Sequence, residues 1–424
     1  MTGRPVAGVR EDPSVSAPPR RDNRGLAAVL IMAGTFGTAM TQWYIIWLFA
    51  RVGGPVGVGS YSTLLALATP TFLLGQLGLR DVYLTLTRHF PWRTYLQLRV
   101  IGMAVAAVVL LGLGLMSGMP LLLTLGVVAF KVADGISNLY GARIQRAEEL
   151  IRLGTLSATS PVISIVLVSV VTLLTGRVEL GVWSAALSSV ITMVWGMRWA
   201  QRVPAPEPDS TEAGYRTILA SAAPTAAFEA LMAALAYVPV FLLGIWGTTA
   251  EVGIFSGASY LVVLANLIGG SMTTVTLPGF RRIAETEGLR AVVPRARRLG
   301  LWLGALGVFG ATIAVAFGPP VLEWVYGPAF RLDRIELTPL AIAAAITIPV
   351  YVLNSMLLIM NSYRAQFVIG AVSTAAAVLS GIILLSAGAP HLLSATLMAM
   401  IGVGTRVVLS LRIVVSQVRR AARA

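Results

Sequence analysis

The sequence predicts an all-α integral membrane protein that crosses the bilayer about twelve times. Of its 424 residues, 56% are hydrophobic and only 12% are charged, whereas charged residues make up about 25% of a typical soluble domain. Apolar runs of about 20 residues, the length that a helix needs to cross the hydrocarbon core, recur along the whole chain. We place the spans at residues 26–50, 60–79, 98–116, 121–140, 153–175, 178–199, 217–245, 252–278, 299–318, 337–360, 367–387 and 392–413.

The basic residues fall almost entirely into alternate connections between these spans. Connections on the side of the N-terminus hold 27 of the 32 basic residues, and an excess of arginine and lysine marks the cytoplasmic side. The opposite side holds Arg51, Arg177, Arg331 and Arg334. The alternation therefore predicts an even number of spans, with both termini in the cytoplasm.

A proline-rich polar break at residues 200–216 divides the spans into two sets of six and is typical of a linker. Residues 48–75 share eight identities with residues 242–269, which indicates either an internal duplication or chance similarity in a chain rich in Gly and Leu. Two six-span halves point the same way across the membrane, and a substrate site is then expected between them. The predicted organisation is a disordered cytoplasmic arm (1–25), an N-lobe (26–199), the linker (200–216), a C-lobe (217–413) and a cytoplasmic tail (414–424).

Composition excludes several function classes. Cysteine is absent and there are two histidines, so neither a disulfide framework nor a Cys/His metal site can form. Lys131 is the only lysine and lies in a Phe-Lys-Val context, which rules out the Gly-Lys-Ser/Thr ending of a phosphate-binding loop. The net charge of +14 is spread between the spans, and it therefore indicates membrane topology rather than nucleic-acid binding.

Ionisable residues within predicted spans need a partner or a function, because each costs about 3 kcal/mol in hydrocarbon. Glu229 has no basic residue within one turn; it is either a coupling site that exchanges a proton or a neutral carboxyl bonded to a neighbouring helix. Lys131 and Asp134 lie on one face of the fourth span. They either neutralise each other, or Lys131 faces the cavity and attracts an anionic substrate, with Asp134 as a second coupling candidate.

Five short segments occur at defined positions relative to the spans. They are residues 50–54 (ARVGG), 59–62 (GSYS), 251–260 (EVGIFSGASY), 276–282 (TLPGFRR) and 321–330 (VLEWVYGPAF). Together they resemble the polysaccharide flippase branch of the multidrug and toxin extrusion (MATE-like) superfamily. The lipid II flippases of that superfamily usually have fourteen spans, so twelve spans favour the polysaccharide branch.

The resemblance implies two six-helix lobes around a central cavity that opens to one side of the bacterial cytoplasmic membrane at a time. The implied cargo is an undecaprenyl-pyrophosphate-linked oligosaccharide, with H⁺ or Na⁺ as the candidate coupling ion and no other cofactor. A polysaccharide polymerase or glycosyltransferases are the implied partners. Several relatives carry an acidic residue near the position of Tyr237, whereas the acid here is Glu229, two turns earlier, and its coupling role stays open.

If the first two spans line the cavity, as the resemblance implies, Arg51 and Arg80 lie at its two mouths. Arginine binds phosphate through two parallel hydrogen bonds, although Arg80 also fits a simple topology charge. Gln42 and Tyr44, with Trp43, could bind sugar, or the aromatic pair could anchor the helix at the membrane interface.

Two other functions are compatible with the sequence. A small-molecule exporter of the same fold would need a cavity rich in carboxylates for cationic drugs, whereas an anionic lipid-linked glycan needs arginine or lysine. A membrane glycosyltransferase or polymerase would need a longer outer loop than residues 319–336, which hold Glu323 and Asp333. Residues 281–298 alternate basic and apolar side chains, and we expect them to lie along the inner membrane surface beside anionic lipid.

Overall fold

The computed structural model describes residues 22–204, 214–360 and 362–421. Most of the predicted arm, residues 205–213 of the predicted linker and the last three residues of the tail lie outside this part. The helices are α1 (Asp22–Gln76), α2 (Leu79–Thr85), α3 (Trp92–Met116), α4 (Leu121–Arg146), α5 (Leu150–Thr175), α6 (Val178–Gln201), α7 (Tyr215–Trp246), α8 (Thr249–Thr286), α9 (Leu289–Tyr326), α10 (Arg334–Ile359), α11 (Tyr363–Ser386) and α12 (His391–Ala421).

Helix α1 contains the first two crossings. Its 55 residues would span about 80 Å if straight, far more than the hydrocarbon core of about 30 Å. Gly54 breaks it with φ +60° and ψ −164°, a conformation that glycine adopts most readily. Helix therefore continues on both sides of this single break, through the interval 51–59 between the first two predicted spans.

The two halves of α1 run in opposite directions. The first half starts beside the beginning of α5, where Gly154 contacts the Ala27 carbonyl, and the end of α1 leads into Gly78, which packs against the Ala222 carbonyl near the start of α7. Since α5 and α6 cross out and back, the starts of α5 and α7 lie at the same face. We call this the inner face, which the arginine pattern assigns to the cytoplasm, and the opposite one the outer face.

Within the described residues, eleven helices are long and apolar enough to cross a membrane. Because α1 crosses twice, the architecture has the predicted twelve crossings, six in the N-lobe (α1, α3–α6) and six in the C-lobe (α7–α12). The end of α12 returns to the inner face, where Ser362 Oγ donates to Gln417 Oε1 at 2.9 Å.

The lobes pack most closely at the outer face, where the second half of α1 meets α8. A Cβ on Gly59 would lie 1.8 Å from the Thr249 carbonyl oxygen, and one on Gly253 would lie 1.9 Å from the Pro55 carbonyl oxygen. Only glycine permits this backbone contact. A second contact lies at the inner face, where Leu79 and neighbouring buried residues of α2–α4 pack against the start of α7.

The basic segment 281–298 does not form a separate helix along the inner surface. It continues α8 to Thr286 and begins α9 at Leu289, with the turn at Gly288 (φ +85°). Each of these helices has 38 residues, which corresponds to about 57 Å. Both are therefore long enough to extend beyond the hydrocarbon.

Candidate functional site

The C-lobe encloses a cavity of about 650 Å³. Its walls come from α7, α8, α10, α11 and α12, and α1 of the N-lobe closes one side with Gln42 and Ser62. Among the lining residues that the structure describes, Arg406 of α12 is the only charged side chain. The cavity therefore lies mostly within one lobe, with a single lobe-to-lobe wall, rather than symmetrically between the lobes.

Hydroxyl, amide and phenol groups supply the rest of the polar lining. Tyr351 donates from its hydroxyl to Asn266 Oδ1 at 3.0 Å, and Asn266 Nδ2 donates to the Val262 carbonyl at 2.9 Å. These bonds fix both side chains at the wall between α8 and α10. The remaining polar lining residues are Gln42, Ser62, Tyr237, Ser256, Ser259, Tyr260, Thr273, Thr347, Asn354 and Gln366.

Arg406 is half-buried and occupies the middle of α12. Its closest electrostatic partner is Tyr351 on α10, and no acidic residue faces it from the lining. Arg406 lies inside the predicted span 392–413, yet the count of basic residues assigned it to the cytoplasmic side. That position was the signal that it needed another explanation.

Lys131 reaches the cavity wall only through intermediate groups. Its Nζ donates to Thr69 Oγ1 of α1 at 3.3 Å, and Thr69 lies beside Tyr237, a cavity-lining residue of α7. Asp134 lies one turn along α4 and interacts with Lys131 electrostatically. This gives a third interpretation of Lys131 and Asp134, besides mutual neutralisation and direct attraction of a substrate. The pair begins a polar link that runs from the N-lobe interior through α1 to the C-lobe cavity.

Arg99 is the most deeply buried charge in the described part of the chain. Its side chain is 0% exposed, and none of its three guanidinium nitrogens has a hydrogen-bond partner among the described residues. Glu229 and Asp134 are the acidic groups that interact with it. The sequence counted Arg99 as a cytoplasmic topology charge, although it lies two turns inside α3.

Glu229 therefore faces the N-lobe, although it belongs to the C-lobe helix α7. It interacts with Asp81 and with Arg99 and Arg80, and Arg80 in turn donates to Gln145 Oε1 at 3.0 Å. We call Arg80, Asp81, Arg99, Asp134 and Glu229 the inner charge cluster. It lies beside the inner contact between the lobes, where the Tyr215 hydroxyl donates to Gln97 Oε1 at 2.5 Å.

The outer ends of α1 and α9 are joined by side-chain bonds. Arg51 Nε donates to the Val325 carbonyl at 3.0 Å, and its Nη2 donates to the Trp324 carbonyl. Trp43 Nε1 donates to the Tyr326 hydroxyl at 3.1 Å. Arg51 lies at the outer face, as the sequence suggested, and there it binds backbone carbonyls of the C-lobe.

Tyr44 does not line the cavity. Its hydroxyl is bonded to Ser169 Oγ of α5 at 2.7 Å, and its ring packs against Trp47 with centroids 5.4 Å apart. Tyr44 thus packs inside the N-lobe, while Gln42 of the same predicted group lines the cavity.

Comparison with known proteins gives relatives at low sequence identity. No family model matches the chain. The capsular polysaccharide biosynthesis protein CapF of Staphylococcus aureus is 21% identical over 340 residues, which are 78% of this chain and 84% of CapF.

Solved structures align over nearly the whole chain. The lipid II flippase MurJ, in an inward closed conformation, aligns with a TM-score of 0.71 at 12% identity and covers 91% of this chain and 87% of MurJ. An inward-facing multidrug resistance MATE transporter of the MOP superfamily aligns with a TM-score of 0.65 at 14% identity, over 97% and 98% of the two chains. A MOP superfamily transporter from Pyrococcus furiosus aligns with a TM-score of 0.65 at 13% identity, over 93% and 94%.

These alignments confirm the predicted fold, and CapF fits the predicted polysaccharide branch. The chain is a multi-pass membrane protein with the MATE-like fold of the MOP superfamily transporters.

Proposed function

We propose that this protein is a flippase that moves an undecaprenyl-pyrophosphate-linked oligosaccharide across the bacterial cytoplasmic membrane by alternating access. The observation that carries the proposal is the charge of the C-lobe cavity. Its described lining contains one cation, Arg406, and no carboxylate. An arginine in a partly desolvated site binds a phosphate oxygen pair through two charge-assisted hydrogen bonds.

The neutral lining fits the sugar part of such a cargo. Asn266, Asn354 and Gln366 present amide donors and acceptors, and Tyr237 and Tyr260 add aromatic surface. Ligand sites of this kind combine a mostly apolar wall with a few placed polar groups. The names of two relatives agree with this reading, since CapF is a capsular polysaccharide biosynthesis protein and MurJ is a lipid II flippase.

The two alternative functions have less support. A binding site for a cationic drug needs carboxylates in its lining. Glu229 and Asp134 instead belong to the inner charge cluster and are not among the lining residues of the cavity. An enzyme at the outer connection would use Glu323 or Asp333. Glu323 pairs with Arg331 at 3.6 Å, and Asp333 caps the start of α10, so both acidic groups have structural roles.

We further infer that the inner charge cluster couples transport to H⁺ or Na⁺. Arg99 is buried and has no hydrogen-bond partner within the described part of the chain, and one acid from each lobe interacts with it, Asp134 on α4 and Glu229 on α7. Neutralising Glu229, by a proton or a bound cation, removes its repulsion by Asp81 and also its attraction to Arg99 and Arg80, and it leaves Arg99 with Asp134 as its remaining acidic partner. A buried charge that loses a partner is costly, so this step favours separation of the lobes at the inner face.

The cargo is tested in the native host. Deletion of the gene should leave lipid-linked oligosaccharide on the cytoplasmic leaflet, where a membrane-impermeant glycan-modifying reagent applied to spheroplasts does not reach it. Complementation with the unaltered gene should restore labelling at the outer leaflet. Normal outer labelling in the deletion strain would contradict the proposal. We expect glycosyltransferases to supply the cargo and a polymerase to consume it, and genes for both should neighbour this one.

A further inference from the structure

A second concave surface, which shares no lining residue with the cavity, lies at the inner end of the C-lobe. It is a groove of about 700 Å³ between α9 and α12. We call it the basic groove, and its principal lining residues are Arg290, Arg297, Arg298, Leu301, Trp302 and Val418.

The groove follows one face of α9. Arg290, Pro294, Arg297, Leu301 and Ala305 recur at intervals of three or four residues, which places them in one stripe along the helix. The stripe is basic near the start of α9 and apolar further along. This order, basic and then apolar, matches the order of headgroups and acyl chains across a membrane leaflet.

Arg297 and Arg298 of the groove differ from Arg281 and Arg295 of the same segment. Arg281 pairs with Glu285 at 3.0 Å, and Arg295 pairs with Glu287 at 3.3 Å. Arg297 and Arg298, by contrast, have no acidic partner among the described residues. Arg297 and Arg298 are therefore available to an external anion.

The apolar part of the groove faces the surroundings of the protein. Trp302 is 71% exposed and Leu301 is 64% exposed, and the exposed face continues along α9 at Val308 and Phe309. In a membrane helix these side chains contact lipid, and tryptophan favours the headgroup level. The groove thus opens to the lipid at the boundary between headgroups and hydrocarbon.

We propose that the basic groove is a binding site for an anionic phospholipid of the inner leaflet. The phosphate binds Arg297 and Arg298, whose guanidinium groups match phosphate geometry, and the glycerol end and first part of an acyl chain lie on Leu301 and Trp302. Charge complementarity selects an anionic lipid over a zwitterionic one. The apolar floor selects a lipid over free phosphate.

The test compares two double variants of the full-length protein purified in neutral detergent. Arg297→Gln with Arg298→Gln removes two of the three cations of the groove and leaves Arg290 in place. Arg281→Gln with Arg282→Gln removes the same charge from the neighbouring end of α8, outside the groove. Binding of phosphatidylglycerol is measured by native mass spectrometry and by the rise in melting temperature, with phosphatidylcholine and inorganic phosphate as comparison probes.

We expect phosphatidylglycerol to bind the unaltered protein and the Arg281/Arg282 variant equally, and the groove variant about thirty-fold more weakly. Each arginine near an anionic headgroup contributes about a factor of five. Equal weakening in both variants would reduce the effect to general surface charge and overturn the site. An equal response to phosphatidylcholine or to inorganic phosphate would overturn the assignment to an anionic lipid. Preferential binding of undecaprenyl phosphate over phosphatidylglycerol would overturn the assignment to a phospholipid.

Discussion

The interior of the C-lobe and the interior of the N-lobe differ in how their charges are balanced. The C-lobe cavity has a broad neutral lining and one cation, Arg406. The N-lobe side holds Lys131, Asp134 and Arg99, and Glu229 reaches towards them from α7. A site with one sign of charge suits a ligand of the opposite sign, whereas a balanced cluster suits an equilibrium that small changes in charge can shift. We infer that recognition belongs to the C-lobe and coupling to the boundary with the N-lobe.

The largest effect is expected from Arg406→Gln. Loss of two charge-assisted hydrogen bonds to phosphate costs about 3 kcal/mol, or about a hundred-fold in apparent affinity. Arg406→Lys keeps the charge but loses the paired geometry, so it should recover only part of the affinity. Transport of lipid-linked oligosaccharide in proteoliposomes measures both variants.

The matched control for Arg406 is Arg412→Gln, which removes an arginine from the same helix at a position outside the cavity lining. It should leave transport unchanged. An equal loss in the two variants would mean that α12 needs its positive charge for topology, and the contrast between the lobes would lose its recognition half.

The next effect concerns Glu229 and Arg99. Glu229→Gln imitates the neutral carboxyl permanently, so transport should lose its dependence on external pH while cargo binding in the cavity persists. Arg99→Gln leaves Asp134 and Glu229 without their shared cation and should slow transport about tenfold. In the double variant, the reduction in transport rate should be smaller than the sum of the reductions in the two single variants, with a coupling free energy of about 1 kcal/mol.

The measurement is a double-mutant cycle on initial transport rates at several pH values. Strict additivity, or an unchanged pH profile in Glu229→Gln, would separate these residues from coupling. Glu285→Gln, an exposed acid at the end of α8 that pairs only locally with Arg281, serves as the control and should alter neither readout.

Thr69 provides a smaller effect at the link between the two interiors. Thr69→Val is nearly isosteric and removes the hydroxyl that accepts from Lys131 and lies beside Tyr237, which leaves a buried ammonium group without its acceptor. We expect a loss of about 1–2 kcal/mol in stability. The control is Thr71→Val on the same helix, which removes only a hydrogen bond to the Leu67 carbonyl one turn earlier. Thermal unfolding in detergent should distinguish the two variants.

The sequence was sufficient for the number of crossings, and the cytoplasmic orientation of the ends stays a prediction of the arginine pattern. Span length and arginine alternation depend on the bilayer alone, so they can be read without any knowledge of packing. The predicted span ends at residues 50 and 60 did not show that helix fills the interval between them, since Gly54 absorbs the reversal and α1 resumes at once.

The site was less accessible to sequence reasoning, as Gln42 and Tyr44 illustrate. Residues two apart on a helix point about 200° apart, so both could not face one cavity, and only packing decides which of them does. Arg99 and Arg406 were missed for a different reason. A cation near a span end adds to the same arginine count whether it lies in a loop, inside a lobe or in a cavity, and tertiary structure is needed to separate these cases.

The smallest expected effect lies at the outer face, where Arg51 joins α1 to the end of α9. Its bonds are exposed, so Arg51→Gln should cost about 0.5–1 kcal/mol and raise the population open to the outside two- to five-fold. Because the chain contains no cysteine, a single Ser62→Cys change places one thiol in the cavity wall. Its labelling by a membrane-impermeant maleimide from the outer side reports that population.

The control is Arg177→Gln, an outer arginine that pairs within the N-lobe with Glu179 at 3.8 Å. Faster labelling only with Arg51→Gln identifies a closure between the lobes. Equal rates in the two variants would reduce Arg51 to a surface charge, and the outer closure would then rest on the backbone contacts of Gly59 and Gly253 alone.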